Sequence, residues 1–437
     1  MNMYDICVIG GGLVGKYIAS KLQGKNIAWV SSEYPTFTST QSYQLAQYLG
    51  RKDTWHEKAF GIISWPEDDD MSYFPVTLKK WQRYCDELRE ELNIKSLREI
   101  GASPSCSSAI DYLQKQFSRE PLRYFESAHQ TFSGPDFEFR EAYGEYWMKQ
   151  KPQWDFLKLK PKYFHAESFF IDRGKATSIH GYDDKGRRGV IYAKKFIVAA
   201  HTPGSIALLQ NTYDGFRVNE QTRDLIGRGF SEHPQLSFGF LSLKQDIPRT
   251  SLPAICYQDY EVEGVRFRLE FHFTPPRKDL VELCLKRFPQ YTADHFVKHF
   301  IRIAAVVHIP NIRSHRLHFL IQSGSLEKGQ LWDNSSYKIS SFFYKSLDIH
   351  KKFLVDYLQK EIFPTQDFVL LNEHFPWYFA GHVSGGAAYP DVLDERFFLH
   401  DLPNVAIASA AALATNGLFN PAMPVLACAK HVLSHIH

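Results

Sequence analysis

The sequence lacks most of the features that would mark it for a specialised setting. Lys and Arg number 51 against 48 for Asp and Glu, a formal net charge of +3. The basic excess of a nucleic-acid surface is missing, so nucleic acid is not an expected partner. No apolar run reaches the ~18 residues of a membrane span, so none is expected. The six cysteines, Cys7, Cys85, Cys106, Cys256, Cys284 and Cys428, form no CxxC pair. That excludes a zinc ribbon or thioredoxin-type site, and no metal is expected. Their scatter fits a reducing compartment, the cytoplasm being the simplest. No basic stretch followed by an apolar one precedes the strand beginning near Tyr4, so no signal peptide is expected. Internal repeats and low-complexity stretches are also absent.

What is present points to an enzyme-sized globular chain. At 437 residues it is too long for one ordinary core, and two intertwined domains are expected. Aromatic residues make up 15%, which suggests large sheets and aromatic-lined cavities rather than disorder.

Tyr4 to Ile9 reads as a continuous apolar strand. Gly10, Gly12 and Gly15 follow with G-x-G-x-x-G spacing, Leu13 and Val14 standing between the last two. A helical pattern runs through Tyr17, Ile18 and Leu22 to Gly24, and Ile27 to Val30 gives a second strand. In this order Gly10 permits a tight turn, Gly12 lets backbone approach a pyrophosphate, and Gly15 lets the helix pack against the strand. The helix start offers unpaired N–H groups and a partial positive charge to phosphates. The segment therefore predicts dinucleotide binding. An acid usually ends the second strand and holds the adenosine ribose. Ser31 occupies that register position, with Glu33 two residues on, and either can serve.

Farther along, Phe169 to Ile171 and Thr177 to Tyr182 read as hairpin strands, and Ala193 to Ala200 as a buried strand. His201 to Ser205 reads as a turn, with a helix starting at Ile206 to Leu209. Between about 236 and 375 alternating strands dominate, at 236–243, 265–273, 300–309 and 317–323, with a helix near 349–362. Arg266, Arg268, His272 and His308 alternate along these strands and are expected to face solvent. A glycine-flanked His382 precedes Ser384-Gly385-Gly386. Near the end Ala408-Ser409-Ala410 leads to Asn420-Pro421 and a helix over Val425 to Leu433. The expected fold is α/β: a Rossmann-like domain from 1–50, 155–235 and 378–437, and an α+β substrate domain with an antiparallel sheet from 51–154 and 236–377.

These patches, in this order, resemble the glucose–methanol–choline oxidoreductases. Besides the glycines, the run Phe74-Pro75-Val76-Thr77-Leu78-Lys79-Lys80-Trp81-Gln82-Arg83-Tyr84 is similar to the family's W-P-I-T-Y-x-x-L-x-x-Y-Y stretch. Ile226 to Pro234 is similar to its V-G-R-N-L-x-x-H-P turn. His382 to Gly386 and Asn420-Pro421 are similar to the cholesterol-oxidase-like H-P-L-G-G and N-P. The chain departs from the family in two places. His201 stands for a Gly in A-A-G-A, and Ser409 for an Asp in V-x-D-A-S.

The resemblance implies bound FAD. Its cofactor contacts would come from Gly10, Gly12, Leu13, Val14, Gly15, Ser31 or Glu33, Ala200, His201, Ser409, Ala410, Asn420 and Pro421. It implies oxidation of a CH–OH group of a small-molecule substrate, with O2 or another electron acceptor. His382 would take the hydroxyl proton and Asn420 hold the substrate oxygen. Two alternatives stay open: a flavin enzyme without net redox, an isomerase or lyase, and a degenerate member that binds a ligand or partner without catalysis.

Overall fold

A computed structural model describes residues 3–32, 74–96, 111, 113–115, 122–124, 126–127, 159–215, 219–229, 234–242, 255–262, 265–272, 278–308, 316–319, 335–338, 352–362, 368–370, 378–379, 384–415, 417–418 and 421–436. The chain opens on strand β1 (Tyr4–Ile9), helix α1 (Leu13–Lys21) and strand β2 (Ile27–Ser31). Helix α2 (Leu78–Glu91) comes next; Thr77 caps it by accepting the Lys80 N–H at 3.3 Å. Strands β3 (Lys162–Tyr163), β4 (His165–Asp172), β5 (Lys175–Tyr182) and β6 (Arg188–Val198) precede helix α3 (His201–Gly215). Strands β7 (Pro234–Ser242), β8 (Ile255–Val262) and β9 (Val265–His272) follow. Helices α4 (Lys278–Arg287) and α5 (Ala293–His299) then lead into β10 (Phe300–Val307). The chain closes with β11 (Val405–Ile407) and α6 (Ala422–Leu433).

The first sheet has the order β3-β2-β1-β6-β5-β4, with β11 also on β6. Strand β1 is parallel to both β2 and β6, and β11 is parallel to β6. Strand β6 serves two partners. Its later residues, through Val198, pair with β1, while Arg188 to Tyr192 form an antiparallel hairpin with β5. Cys7, Val8, Phe196, Ile197, Val198, Ala406 and Ile407 are wholly buried, as befits central parallel strands covered on both faces. Helices α1, α2 and α6 join the same core. Tyr84 Oη lies 3.3 Å from His431 Nδ1, and Tyr17 Oη donates to Glu91 Oε2 at 3.2 Å.

The second sheet is antiparallel, ordered Phe368–Leu370, β7, β10, β9, β8 and Arg123–Tyr124, with Tyr378–Phe379 also on β7. The mixed α/β fold with a separate antiparallel sheet is therefore present as expected. Several elements differ from the sequence reading. The expected strand 317–323 is Arg316–Phe319 and sits in a separate ribbon with Ser335–Lys338. Helices α4 and α5 lie between the expected strands 265–273 and 300–309, a stretch to which the sequence reading assigns no element. Thr292 caps α5 by accepting the His295 N–H at 3.2 Å, with Asp294 in the first turn, a start signal that strand alternation obscured. His201 to Ser205 is the first turn of α3 rather than a preceding turn, since Pro203 is tolerated where helical N–H groups lack partners. The expected helix at 349–362 is α-helical at 352–357 and a π-helix over Leu358–Ile362.

Candidate functional site

The carboxyl ends of β1, β6 and β11 meet at one edge of the first sheet, the place where open parallel sheets bind ligands. Gly10 has φ +127° and lies so close to the Ala199 carbonyl that a Cβ would collide with it. A Cβ on Gly15 would collide with the Gly10 carbonyl. The turn is fastened by Gly10 N–H to Val30 O at 2.8 Å and by the Trp29 indole N–H to Gly10 O at 2.9 Å. Gly12 takes extended geometry before α1 and provides no side-chain cap. The first N–H groups of the helix are therefore not satisfied by a capping side chain, the condition for binding an anion there. Leu13 is buried and Val14 half-buried in this first turn.

Ser31 ends β2 beside this loop. A Cβ on Gly11 would come 2.6 Å from Ser31 Oγ, and Ser31 Oγ donates to Ser32 O at 3.2 Å. Ser31 thus occupies the end of the strand, while Glu33 lies outside the described residues.

Across the loop, Ala199 and Ala200 end β6 and His201 opens α3. His201 has φ +57°, a left-handed conformation that favours glycine and that histidine tolerates better than most residues. His201 thus keeps the left-handed backbone of the Gly that the resemblance implies at this place. Ser205 Oγ donates to His201 O at 2.5 Å and lies 2.9 Å from Ser409 Oγ. Ser409 also accepts the Ala411 N–H at 3.3 Å, capping the short 3₁₀ turn Ala410–Ala412. A buried pair of hydroxyls with no formal charge therefore stands where the resemblance implies an Asp. Ser205 was missed in the sequence because its partner is 204 positions away.

Segment 384–387 runs against this turn. Gly385 N–H donates to Ala410 O at 3.0 Å and Ala387 N–H to Ala411 O at 3.1 Å. Gly386, at φ +90°, accepts the Gly227 N–H at 2.6 Å. Ser384 Oγ is fully buried and has no hydrogen-bond partner among the described residues. Pro421 precedes α6 and supplies no side-chain cap. His382 and Asn420 lie outside the described residues. Gly10, Gly12, Leu13, Val14, Gly15, Ser31, Ala200, His201, Ser409 and Ala410 gather around the sheet edge.

In the second sheet, the expectation that the alternating polar residues face solvent is overturned. Arg268 is 1% exposed, His272 5% and Glu270 8%, while Arg266 and His308 are half-buried. Both faces of the sheet are covered. Tyr357 packs on Tyr260 and Phe267 from one side, and α4 and α5 pack with Phe240 and Phe300, whose register places them on the other. The buried charges are partnered. Arg268 makes two hydrogen bonds to Asp259, at 2.7 and 2.8 Å, and sits 3.9 Å from the Tyr257 ring centroid. His272 Nε2 lies 3.0 Å from Glu270 Oε2, and Arg302 Nη2 lies 2.9 Å from His272 Nδ1. Burial, aided by the Arg302 charge, pushes His272 down to about 4. Burial and Arg266 push His308 down to about 4 as well. Both imidazoles are neutral near pH 7 and can each donate and accept one bond.

No protein-family profile matches the sequence, and no curated protein matches it. Solved structures do. A pyridoxine 4-oxidase from Mesorbium loti is 12% identical with a TM-score of 0.59, covering 99% of this chain and 99% of that one. A formate oxidase is 12% identical with a TM-score of 0.65, covering 100% and 98%. A formate oxidase variant from Aspergillus oryzae RIB40, studied for FAD modification, is 13% identical with a TM-score of 0.64, covering 100% and 98%. The chain has the fold of these oxidases across its whole length.

Proposed function

We propose that the chain is an FAD-dependent oxidoreductase that oxidises a CH–OH group of a small molecule to a carbonyl. The observation that carries this reading is the glycine turn at the carboxyl ends of β1, β6 and β11. There the α1 start has no side-chain cap, and backbone packs so closely at Gly10 and Gly15 that a Cβ at either would collide with it. The residues present fit a dinucleotide. Gly10, Gly12 and the N–H groups opening α1 would take the diphosphate. Ser31 or Glu33 would take the adenosine ribose. Ala200, His201, Ser409, Ala410 and Pro421 would line the remainder. The likeness in fold to oxidases, one of them studied for FAD modification, supports the cofactor. The FAD unit is assigned to 1–50, 155–235 and 378–437, and the substrate unit to 51–154 and 236–377.

FAD, when bound, supplies a hydride acceptor. The chain must then remove the hydroxyl proton and hold the oxygen. His382 is assigned the proton, since an imidazole with an ordinary value of roughly 6.5 is a competent base near neutrality. Asn420 is assigned the oxygen, its amide donating as charge develops there. In sequence it immediately precedes Pro421 and α6, so this assignment would set its amide near the positive end of a helix. O2 or another acceptor would complete turnover. No described helix is long and apolar enough to cross a membrane. The described cysteines, all buried, support placement in the reducing cytoplasm.

The test is anaerobic mixing of purified protein with a panel of alcohols, read as loss of the flavin's visible absorption. His382→Ala should keep flavin and lose reduction by on the order of 10² to 10⁴, the usual scale for positioned acid–base groups. Asn420→Ala should slow the same step. Reduction at the parent's rate in both variants would remove the site assignment. A parent that retains flavin but is bleached by no substrate while rearranging one would favour an isomerase or lyase.

A further inference from the structure

Thr415 lies between the 3₁₀ turn Ala410–Ala412 and the start of α6, on the segment that leads to Asn420. It is buried, and its Oγ1 accepts the Gly417 N–H at 3.0 Å. Gly417 has φ +48°, so the chain turns there. The same hydroxyl lies 3.2 Å from Nε2 of His308, far away in sequence at the end of β10. His308 is itself anchored. Its N–H donates to Arg266 O at 3.0 Å, continuing the register that pairs Phe267 with Val307. The antiparallel sheet thus reaches, through one imidazole, the hydroxyl that shapes the turn before α6.

We propose that His308 is a positioning residue, holding Thr415 and through it the segment that carries Asn420. This rests on the assignment of Asn420 above. The chemistry of the contact is complementary. Thr415 Oγ1 uses one lone pair for Gly417 N–H, and a neutral imidazole offers Nε2 to bond the remaining hydroxyl valence. A group that holds a reacting oxygen must stay within about 0.5 Å of its working place, which a loop achieves only when its neighbours lock it. His308 supplies that lock from the sheet assigned to the substrate, tying Thr415 and the turn at Gly417 to that sheet.

The experiment is hydrogen–deuterium exchange on the full chain, followed over a peptide spanning 413–424. Parent protein is compared with His308→Leu, Thr415→Val and His308→Gln. The Leu and Val variants should raise exchange of this peptide by ~10-fold, the loss of one buried hydrogen bond. Gln, whose amide reaches the position of Nε2, should restore it to within ~3-fold. In the flavin-loaded protein, His308→Leu should slow flavin reduction by a similar ~10-fold at unchanged flavin content, and Gln should recover it. Exchange of 413–424 at the parent level in both the Leu and Val variants would overturn the proposal. So would a Gln variant no better than Leu, which would reduce His308 to filling space. Thr415→Val keeps the shape of the side chain, so it still decides the matter if His308→Leu fails to fold. The exchange readout needs no substrate, so failure of the catalytic assignment, read from Asn420→Ala kinetics, is a separate result.

Discussion

The two sheets put chemistry to use in opposite ways. The central strands of the first are apolar, and its candidate site is made of side chains that are missing: Gly10 and Gly15 let backbone pack closely, and Gly12 leaves the start of α1 without a side-chain cap. The second buries Arg268, Glu270 and His272 within its strands and pairs them with partners on the same sheet. The contrast teaches that a candidate binding edge can be built without charged side chains while a second sheet of the same chain buries ionisable groups. In the first region any added atom is a fault. In the second the fault is to remove one half of a pair.

The largest effect that would test this contrast is a single methyl in the first region. Gly15→Ala places a Cβ against the Gly10 carbonyl, a backbone atom that cannot swing away. A loss on the order of 4 kcal/mol is expected, at the severe end for one substitution. Thermal unfolding checks it, and a variant melting with the parent would show that the turn yields. Next comes Asp259→Leu, which removes both Asp259 hydrogen bonds from the buried Arg268 guanidinium and should cost about 3 kcal/mol. Adding Arg268→Leu to Asp259→Leu should recover most of that loss in a denaturant titration. Recovery would sharpen the contrast, because no glycine substitution in the first sheet has a compensating partner.

Acid should weaken both regions by a smaller amount per pH unit. Burial holds His272 and His308 at about 4 in the second region, and His431 at about 4 in the first. These values lie below the ~6.5 of an unfolded histidine, so the unfolded chain binds more protons between the two. Stability is full above about pH 6.5 and falls as pH drops toward 4. The slope is up to ~1.4 kcal/mol per pH unit for each group. Melting temperature across that window checks the sign, and His431→Gln should flatten the curve. A curve unchanged by that substitution would show that His431 carries no linkage. The smallest effect is a gain: His201→Gly relieves a left-handed histidine and should stabilise by roughly 1 kcal/mol. A loss instead would assign the imidazole a contact that outweighs its backbone cost.

The first region was the more legible in sequence, and for a physical reason. A glycine turn between a strand and a helix works through local spacing, so Gly10, Gly12 and Gly15 could be read in order. Ser31 was placed at the end of its strand by counting residues. The second region works through cross-strand pairs. Arg268 meets Asp259 nine positions away, and His272 meets Arg302 thirty away. Alternation along β9 reads as a solvent face, and nothing local reveals the helices that cover it. Ser205 with Ser409 and His308 with Thr415 were hidden in the same way. Helix α3 was read as starting late because Thr202-Pro203-Gly204 has the composition of a turn, although proline and small residues also suit a first helical turn.

The central claim is that the glycine turn holds FAD. The most direct measurement is flavin content by visible absorption, taken on purified parent protein and on Gly12→Val after incubation with excess FAD and removal of the unbound fraction. The account predicts that the parent retains close to one flavin per chain and that Gly12→Val is folded by circular dichroism but carries none. A folded Gly12→Val with the full flavin content of the parent, or a folded parent that retains none, would contradict it.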